Sequence, residues 1–173
     1  MAEPIAEAAR QAFSDLFARH PGHYYYCALV TTGEAHAPVV SAWSYEALDA
    51  ALAGETNPEE ARVALKWSYA DSPYHGFGSE YFATVNALFS ARPRLTSELS
   101  SAEWAAEYQL RLDAMEAAMA RLDTEGLFGV GGRRLETVAI VEVAPPDHTN
   151  TERAVRLNPP EALKTWLKEA GEE

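Results

Sequence analysis

Residues 23–31, HYYYCALVT, form the most strand-like stretch of the chain. Aromatic and β-branched residues favour extended backbone, and successive side chains of a strand point to opposite faces. Alternation places Tyr24, Tyr26, Ala28 and Val30 on one face and Tyr25, Cys27 and Leu29 on the other. Because both faces are largely apolar, we expect other parts of the chain to cover both of them at least partly.

The sequence that follows this stretch predicts a small sheet. Thr32-Gly33-Glu34 predicts a turn into a second strand over residues 37–43, so that the two strands form a hairpin. Pro38 lacks a backbone donor, which favours an edge position or the start of a strand. Later in the chain, residues 135–143 predict another strand, and residues 154–157 predict a last short one.

Apolar residues at helical spacing, together with capping residues, predict helices around the sheet. The longest follows Ser100 and Glu103, which fit the capping-box pattern, and its apolar stripe is Trp104, Tyr108, Leu112, Met115, Met119 and Leu122. Other predicted helical segments are residues 3–19, 45–53, a short element from 58 through 67, 80–89 and 161–170. Helices and strands interleave without a regular βαβ rhythm. We therefore predict one α+β domain with a small, mainly antiparallel sheet packed by several helices.

The charge of the chain is strongly negative and unevenly distributed. The net charge is −12 over 173 residues. Residues 44–61 contain five acids and no base, and residues 98–125 contain seven acids against two arginines, whereas residues 67–97 are neutral. A negative chain without a basic face or a known motif is not expected to bind nucleic acid.

Cysteine content and hydropathy predict a cytoplasmic protein. Cys27 is the only cysteine, so no internal disulfide forms, which fits a reducing compartment. The first twenty residues carry charges throughout and do not resemble a secretory signal. Since no apolar stretch approaches about 18 residues, we expect no membrane association.

The richest group of chemically versatile side chains lies in residues 67–81, WSYADSPYHGFGSEY. His75 could exchange protons near neutral pH, and a carboxylate could orient its ring. Aromatic rings could stack on a planar ligand. The candidate ligand-binding residues are Trp67, Asp71, Tyr74, His75 and Glu80. The alternative interpretation is structural: the aromatic residues fill the core, and the polar ones form local turn hydrogen bonds.

Other kinds of site find little support. The five histidines are scattered without the spacing of metal ligands, so we expect neither a metal site nor another cofactor. The glycines of residues 126–132 follow a helix and precede a strand, the reverse of the order in phosphate-binding loops. Cys27 lies within an apolar strand, so we expect it to serve core packing rather than nucleophilic catalysis.

The two acidic stretches suggest a different kind of site, a surface for a basic protein partner. Opposite charge steers association and selects partners. An acidic helix face is, however, often only solvated surface. The candidate partner-binding residues are Glu55, Glu59 and Glu60 in the first stretch and Glu103 and Glu107 in the second.

Two stretches carry a resemblance to a known family. Residues 65–76, LKWSYADSPYHG, and residues 156–160, RLNPP, which precede a helix containing Trp166, resemble the bacterial domain of unknown function 4303 family. Members are similar to this chain in length, so the resemblance extends over nearly all of it. The family has no established activity, and the resemblance therefore implies no catalytic role for any residue.

Two hypotheses about function follow from these features. The first is a non-enzymatic binding or regulatory protein, comparable by analogy alone to acidic immunity proteins that neutralise toxins. The second is a domain that binds or transforms a small ligand at residues 67–81. The second requires Asp71 and His75 to converge on a concave pocket.

Overall fold

A three-stranded sheet lies between two layers of helices. The computed structural model describes residues 1–146 and 148–171. Its strands are β1 Tyr24–Thr32, β2 Val39–Ser44 and β3 Val138–Ala144. Its α-helices are α1 Ala2–Arg19, α2 Tyr45–Leu52, α3 Pro58–Leu65, α4 Ala83–Ser90, α5 Ser101–Thr124, α6 His148–Leu157 and α7 Pro160–Glu169, and short 3₁₀ helices occupy Ser79–Phe82 and Gly131–Glu136.

The predicted α+β class is confirmed, and the sheet itself is mixed. The strand order is β2-β1-β3. β1 pairs antiparallel with β2, as the hairpin prediction required, with Cys27 opposite Ala42. β1 pairs parallel with β3, with Cys27 opposite Ala139. Parallel pairing is possible because the helices between β2 and β3 return the chain to the end of the sheet where β1 begins.

Both faces of β1 are buried, as its sequence predicted. On one face Cys27 and Leu29 pack in a cluster with α1 and α5, and on the other Tyr26 and Ala28 pack in a cluster with α2 and α7. The predicted alternation fails only at the start of the strand, where Tyr25 joins the cluster of Tyr26. The pairing register with β2 shifts between Tyr24 and Tyr26, and such an irregularity moves the preceding side chains to the other face.

Local signals placed most helix ends correctly. Ser44 accepts a hydrogen bond from the Ala47 amide at 3.1 Å, which begins α2. Ser100 and Glu103 form the predicted capping box of α5. The predicted stripe of α5 lies in the core, where Leu112, Met115, Met119 and Leu122 are buried. In the described part of the chain, no helix combines the length and the apolar character needed to cross a membrane.

The predicted strand over residues 154–157 is wrong, because these residues end helix α6. The buried residues of α6 are Asn150, Arg153, Ala154 and Leu157, which follow helical spacing and include polar side chains. Those polar side chains reach the free edge of β3, so they form hydrogen bonds there although they are buried.

Helix α6 and the residue after it cover the outer edge of β3 with side-chain hydrogen bonds. The Asn158 side chain accepts from Ala139 N through Oδ1 at 2.8 Å and donates to Ala139 O through Nδ2 at 2.7 Å. Asn150 bonds both backbone groups of Val143 in the same way, at 2.8 and 3.0 Å. Between them, Arg153 Nε donates to Val141 O at 3.0 Å.

The spacing of these contacts follows from the geometry of a strand and a helix. The strand rises by about 3.3 Å per residue, so residues 139 and 143 are about 13 Å apart. A helix rises by about 1.5 Å per residue, so residues 150 and 158 are about 12 Å apart. The two lengths match, and α6 running antiparallel to β3, with Asn158 after it, therefore binds the outward-facing amides and carbonyls of Ala139 and Val143 and the carbonyl of Val141.

We predict that Asn158→Ala strongly destabilises the fold. The substitution removes partners from the buried amide and carbonyl of Ala139 and from Ala154 O. Unpaired buried polar groups should lower the free energy of unfolding by about 2–4 kcal/mol. Urea denaturation measures this change. In the control Gln11→Ala, which removes an exposed amide from α1, the change should stay below about 0.5 kcal/mol. Equal effects in the two variants would contradict the role given to Asn158.

Candidate functional site

Trp67 is held in a fixed position at the junction of three elements. Its ring meets the Tyr25 ring edge-on at 5.1 Å between centroids. Its Nε1 donates to Glu169 Oε2 of α7 at 2.8 Å, and Lys66 Nζ lies 5.1 Å from the ring centroid. The indole also lines a cleft of about 240 Å³ together with Tyr45, Glu136 and Glu161.

The segment that follows Trp67 runs along the free edge of β2. Trp43 Nε1 donates to Ser68 O at 2.7 Å, and Ser41 Oγ donates to Tyr69 O at 2.8 Å. The Gly76 amide donates to Val40 O at 2.7 Å, and Ser72 Oγ donates to Ala42 O. Residues 68–76 therefore cover this edge of the sheet, as α6 covers the other.

The predicted ligand-binding residues do not come together in one cleft. Asp71 is exposed and accepts a local hydrogen bond from Ser68 Oγ at 2.6 Å. Tyr74 packs inward against the rings of His20 and Tyr24, with centroids 5.1 and 6.0 Å away, whereas His75 is exposed.

Glu80 is exposed in a 3₁₀ helix beyond them. Trp67 lines its cleft without any of the other four candidates, and four further clefts among the described residues contain none of the five. The contacts of Asp71 and Tyr74 agree with the structural interpretation of this loop.

The first acidic stretch forms an exposed surface around α3. Glu55, Glu59 and Glu60 are all exposed, and α3 contains no buried residue. Val63 lies on the same helix with 83% of its surface exposed. Among residues 1–146 and 148–171, no basic side chain lies within 4.0 Å of these three carboxylates. We call Glu55, Glu59, Glu60 and Val63 the acidic surface.

The second acidic stretch differs, because arginines within the chain neutralise much of it. Arg156 Nη2 lies 2.9 Å from Glu116, and Arg10 Nη2 lies 2.8 Å from Glu125. Arg134 forms an ion pair with Asp123, so this arginine meets an acidic helix within one chain. Glu103 serves the capping box and accepts from the Ser100 amide at 3.0 Å.

Glu107, one of the predicted partner-binding residues, is buried with 8% of its surface exposed and is not part of an exposed acidic face. Its carboxylate accepts from Arg92 Nε at 2.6 Å and from Arg111 Nε at 2.8 Å. Hydrogen bonds from Arg92 and then Arg111 lower the pKa of Glu107 to about 2, against the opposing effect of desolvation. Spacing along α5 alone could not separate this acid from the exposed ones, since its partner Arg92 lies before the helix.

The described residues contain no cluster of three or more His, Cys, Asp or Glu side chains that could hold a metal ion. Cys27 is buried in the sheet, and burial raises the pKa of its thiol well above the ordinary range. A thiol in that state is a poor nucleophile. The predicted core position of Cys27 is therefore confirmed.

We predict that Glu107→Gln lowers the free energy of unfolding at pH 7 by about 3 kcal/mol, because it leaves two arginines without their shared carboxylate. The pKa of Glu107 lies below the ordinary 4.5, so its stabilisation is present above pH 4.5 and is lost as the pH falls towards 2. Urea denaturation at several pH values should show a smaller loss across this range in the variant than in the wild type.

The control is Glu98→Gln, which removes the same charge from an exposed position before α5. Its free energy of unfolding at pH 7 should change by less than about 0.5 kcal/mol. An unchanged pH dependence in Glu107→Gln would contradict the assigned ion pair.

Comparison with known proteins identifies the family. No curated protein and no solved structure matches the chain. The model of the family described as Domain of unknown function (DUF4303) matches residues 5–159, which extend from α1 through α6. This match contains residues 65–76 and nearly all of residues 156–160, the two stretches that carry the resemblance. The chain therefore belongs to the DUF4303 family.

Proposed function

We propose that this chain is a non-enzymatic binding protein that recognises a basic protein partner through the acidic surface. The observation that carries the proposal is the state of α3, which buries none of its residues and carries the exposed acids Glu59 and Glu60, with the exposed Glu55 just before it. Among the described residues, no basic side chain lies within 4.0 Å of these three carboxylates. A helix in a folded protein is usually stabilised by the burial of an apolar face. A partner would supply that burial for Val63.

Charge supports a basic protein as the partner class. Uncompensated carboxylates close together in the chain attract a positive surface over a distance of about 8–10 Å at physiological salt, and they raise the rate of encounter. Val63, beside them, offers an apolar contact that excludes water from the centre of the interface. The second acidic stretch supports this role less, because internal arginines neutralise much of its charge.

The proposal includes a cytoplasmic location and excludes nucleic acid as the partner. A single buried cysteine suits a reducing compartment. Phosphate backbones are repelled by a chain with a net charge of −12. Toxins neutralised by acidic immunity proteins are one example of a basic partner, by analogy of type only.

We predict that reversing the acidic surface abolishes partner binding. The variant carries Glu55→Lys, Glu59→Lys and Glu60→Lys, and the matched control carries Glu80→Lys, Glu98→Lys and Glu152→Lys. All six acids are exposed, and the two variants have the same net charge. Affinity capture at low and high salt, quantified by mass spectrometry, should recover a basic protein with the wild type and the control but not with the reversed surface.

Recovery should also fall as salt rises, since screening weakens interactions between exposed charges. Circular dichroism of both variants checks that the fold is retained. The proposal is wrong if the captured proteins are the same for both variants or do not depend on salt.

A further inference from the structure

A basic cleft of about 790 Å³, which shares no residue with the acidic surface, lies between the β1–β2 turn, α4, the segment that follows α4, and Arg111 of α5. Three arginines line it: Arg92, Arg94 and Arg111. Phe89 and Leu95 provide an apolar wall, and Asn86 adds an amide from α4. Such a concentration of guanidinium groups stands out in a chain with a net charge of −12.

Arg111 forms the rigid floor of the cleft. It is 3% exposed and donates from Nη2 to Pro93 O at 2.6 Å and from Nη1 to Ala35 O at 3.3 Å. Its guanidinium also lies 5.5 Å from the centroid of the Phe89 ring. These contacts join α5 to the β1–β2 turn and to the segment after α4, so the cleft is formed before any ligand binds.

The charge within the cleft is not balanced. Arg92 and Arg111 share one carboxylate, that of Glu107. Arg92 uses Nε and Nη2 for this pair, which leaves the hydrogens of Nη1 for another acceptor. Arg94 is exposed, and no carboxylate among the described residues lies within 4.0 Å of its guanidinium. Glu34, which also lines the cleft, contributes one opposing charge.

We propose that this cleft binds a small organic anion whose phosphate or carboxylate group contacts Arg92 and Arg94. Guanidinium groups bind such oxyanions through paired, charge-assisted hydrogen bonds. The volume falls in the range of about 300–1,000 Å³ that small organic ligands occupy, which is larger than a bare ion requires. Phe89 and Leu95 would contact the apolar part of the ligand. The site uses no residue of the acidic surface, so it is independent of the proposed function.

Isothermal titration calorimetry with phenyl phosphate, benzoate and phenol tests the proposal. The two anions combine a ring with an oxyanion, and phenol keeps the ring alone. Wild-type protein should bind at least one anion at a single saturable site and should not bind phenol. The anion that binds more tightly identifies the ligand group as phosphate or carboxylate.

Two variants and a control locate the binding. Arg94→Ala removes an exposed guanidinium and should weaken anion binding by about tenfold. Asn86→Glu places a negative charge in the cleft without altering an arginine and should abolish binding. The control Arg133→Ala makes the same charge change as Arg94→Ala at a residue that lines another cleft, and its affinity should stay within about twofold of the wild type.

The proposal is overturned if wild-type protein shows no saturable binding of either anion, or if phenol binds as tightly as phenyl phosphate. It is also overturned if Arg94→Ala binds like the wild type, since binding would then lie elsewhere. The acidic-surface variant Glu55→Lys, Glu59→Lys, Glu60→Lys should bind the anions normally. Loss of partner capture in that variant would therefore leave this test unaffected.

Discussion

The structure depends on hydrogen-bond partners for the unpaired backbone groups at both edges of a three-stranded sheet. The order β2-β1-β3 leaves one open edge on β2 and one on β3. Open edges expose unpaired backbone groups that promote aggregation. Here residues 68–76 donate hydrogen bonds to the outer carbonyls of Val40 and Ala42, while α6 and Asn158 bond outward-facing groups of Ala139, Val141 and Val143 on β3. With the edges closed by side chains and loop backbone, so small a sheet can serve as the centre of the fold.

The same constraint explains the two stretches that carry the family resemblance. Residues 65–76 contain the segment along β2, and residues 156–160 contain Asn158, which bonds Ala139. Both stretches therefore form edge contacts. The polar and aromatic loop that suggested a ligand site has a structural task, and Trp67 anchors its start through Tyr25 and Glu169.

The arginines determine which acidic side chains form ion pairs within the chain and which stay unpaired at the surface. Arginines from α1, α6 and the segment before β3 form ion pairs with acids along α5 and at its C-terminal end. Glu55, which precedes α3, and Glu59 and Glu60 on it have no basic side chain within 4.0 Å among the described residues, so their charge stays available to a partner. Arg92 and Arg111 hold Glu107 between them and keep an excess of positive charge beside Arg94. The chain thus presents a negative surface and a positive cleft at separate places.

The sequence by itself determined the α+β class, the buried central strand, the β1–β2 hairpin and the capped helices α2 and α5, because these depend on contacts between residues close in the chain. Tertiary structure decided the parallel pairing of β3, the helical state of residues 154–157 and the burial of Glu107. Each depends on a partner far along the chain: β1 for β3, the open strand edge for α6, and Arg92 for Glu107. Local pattern contains no information on such partners, whereas the folded chain brings them within hydrogen-bonding distance.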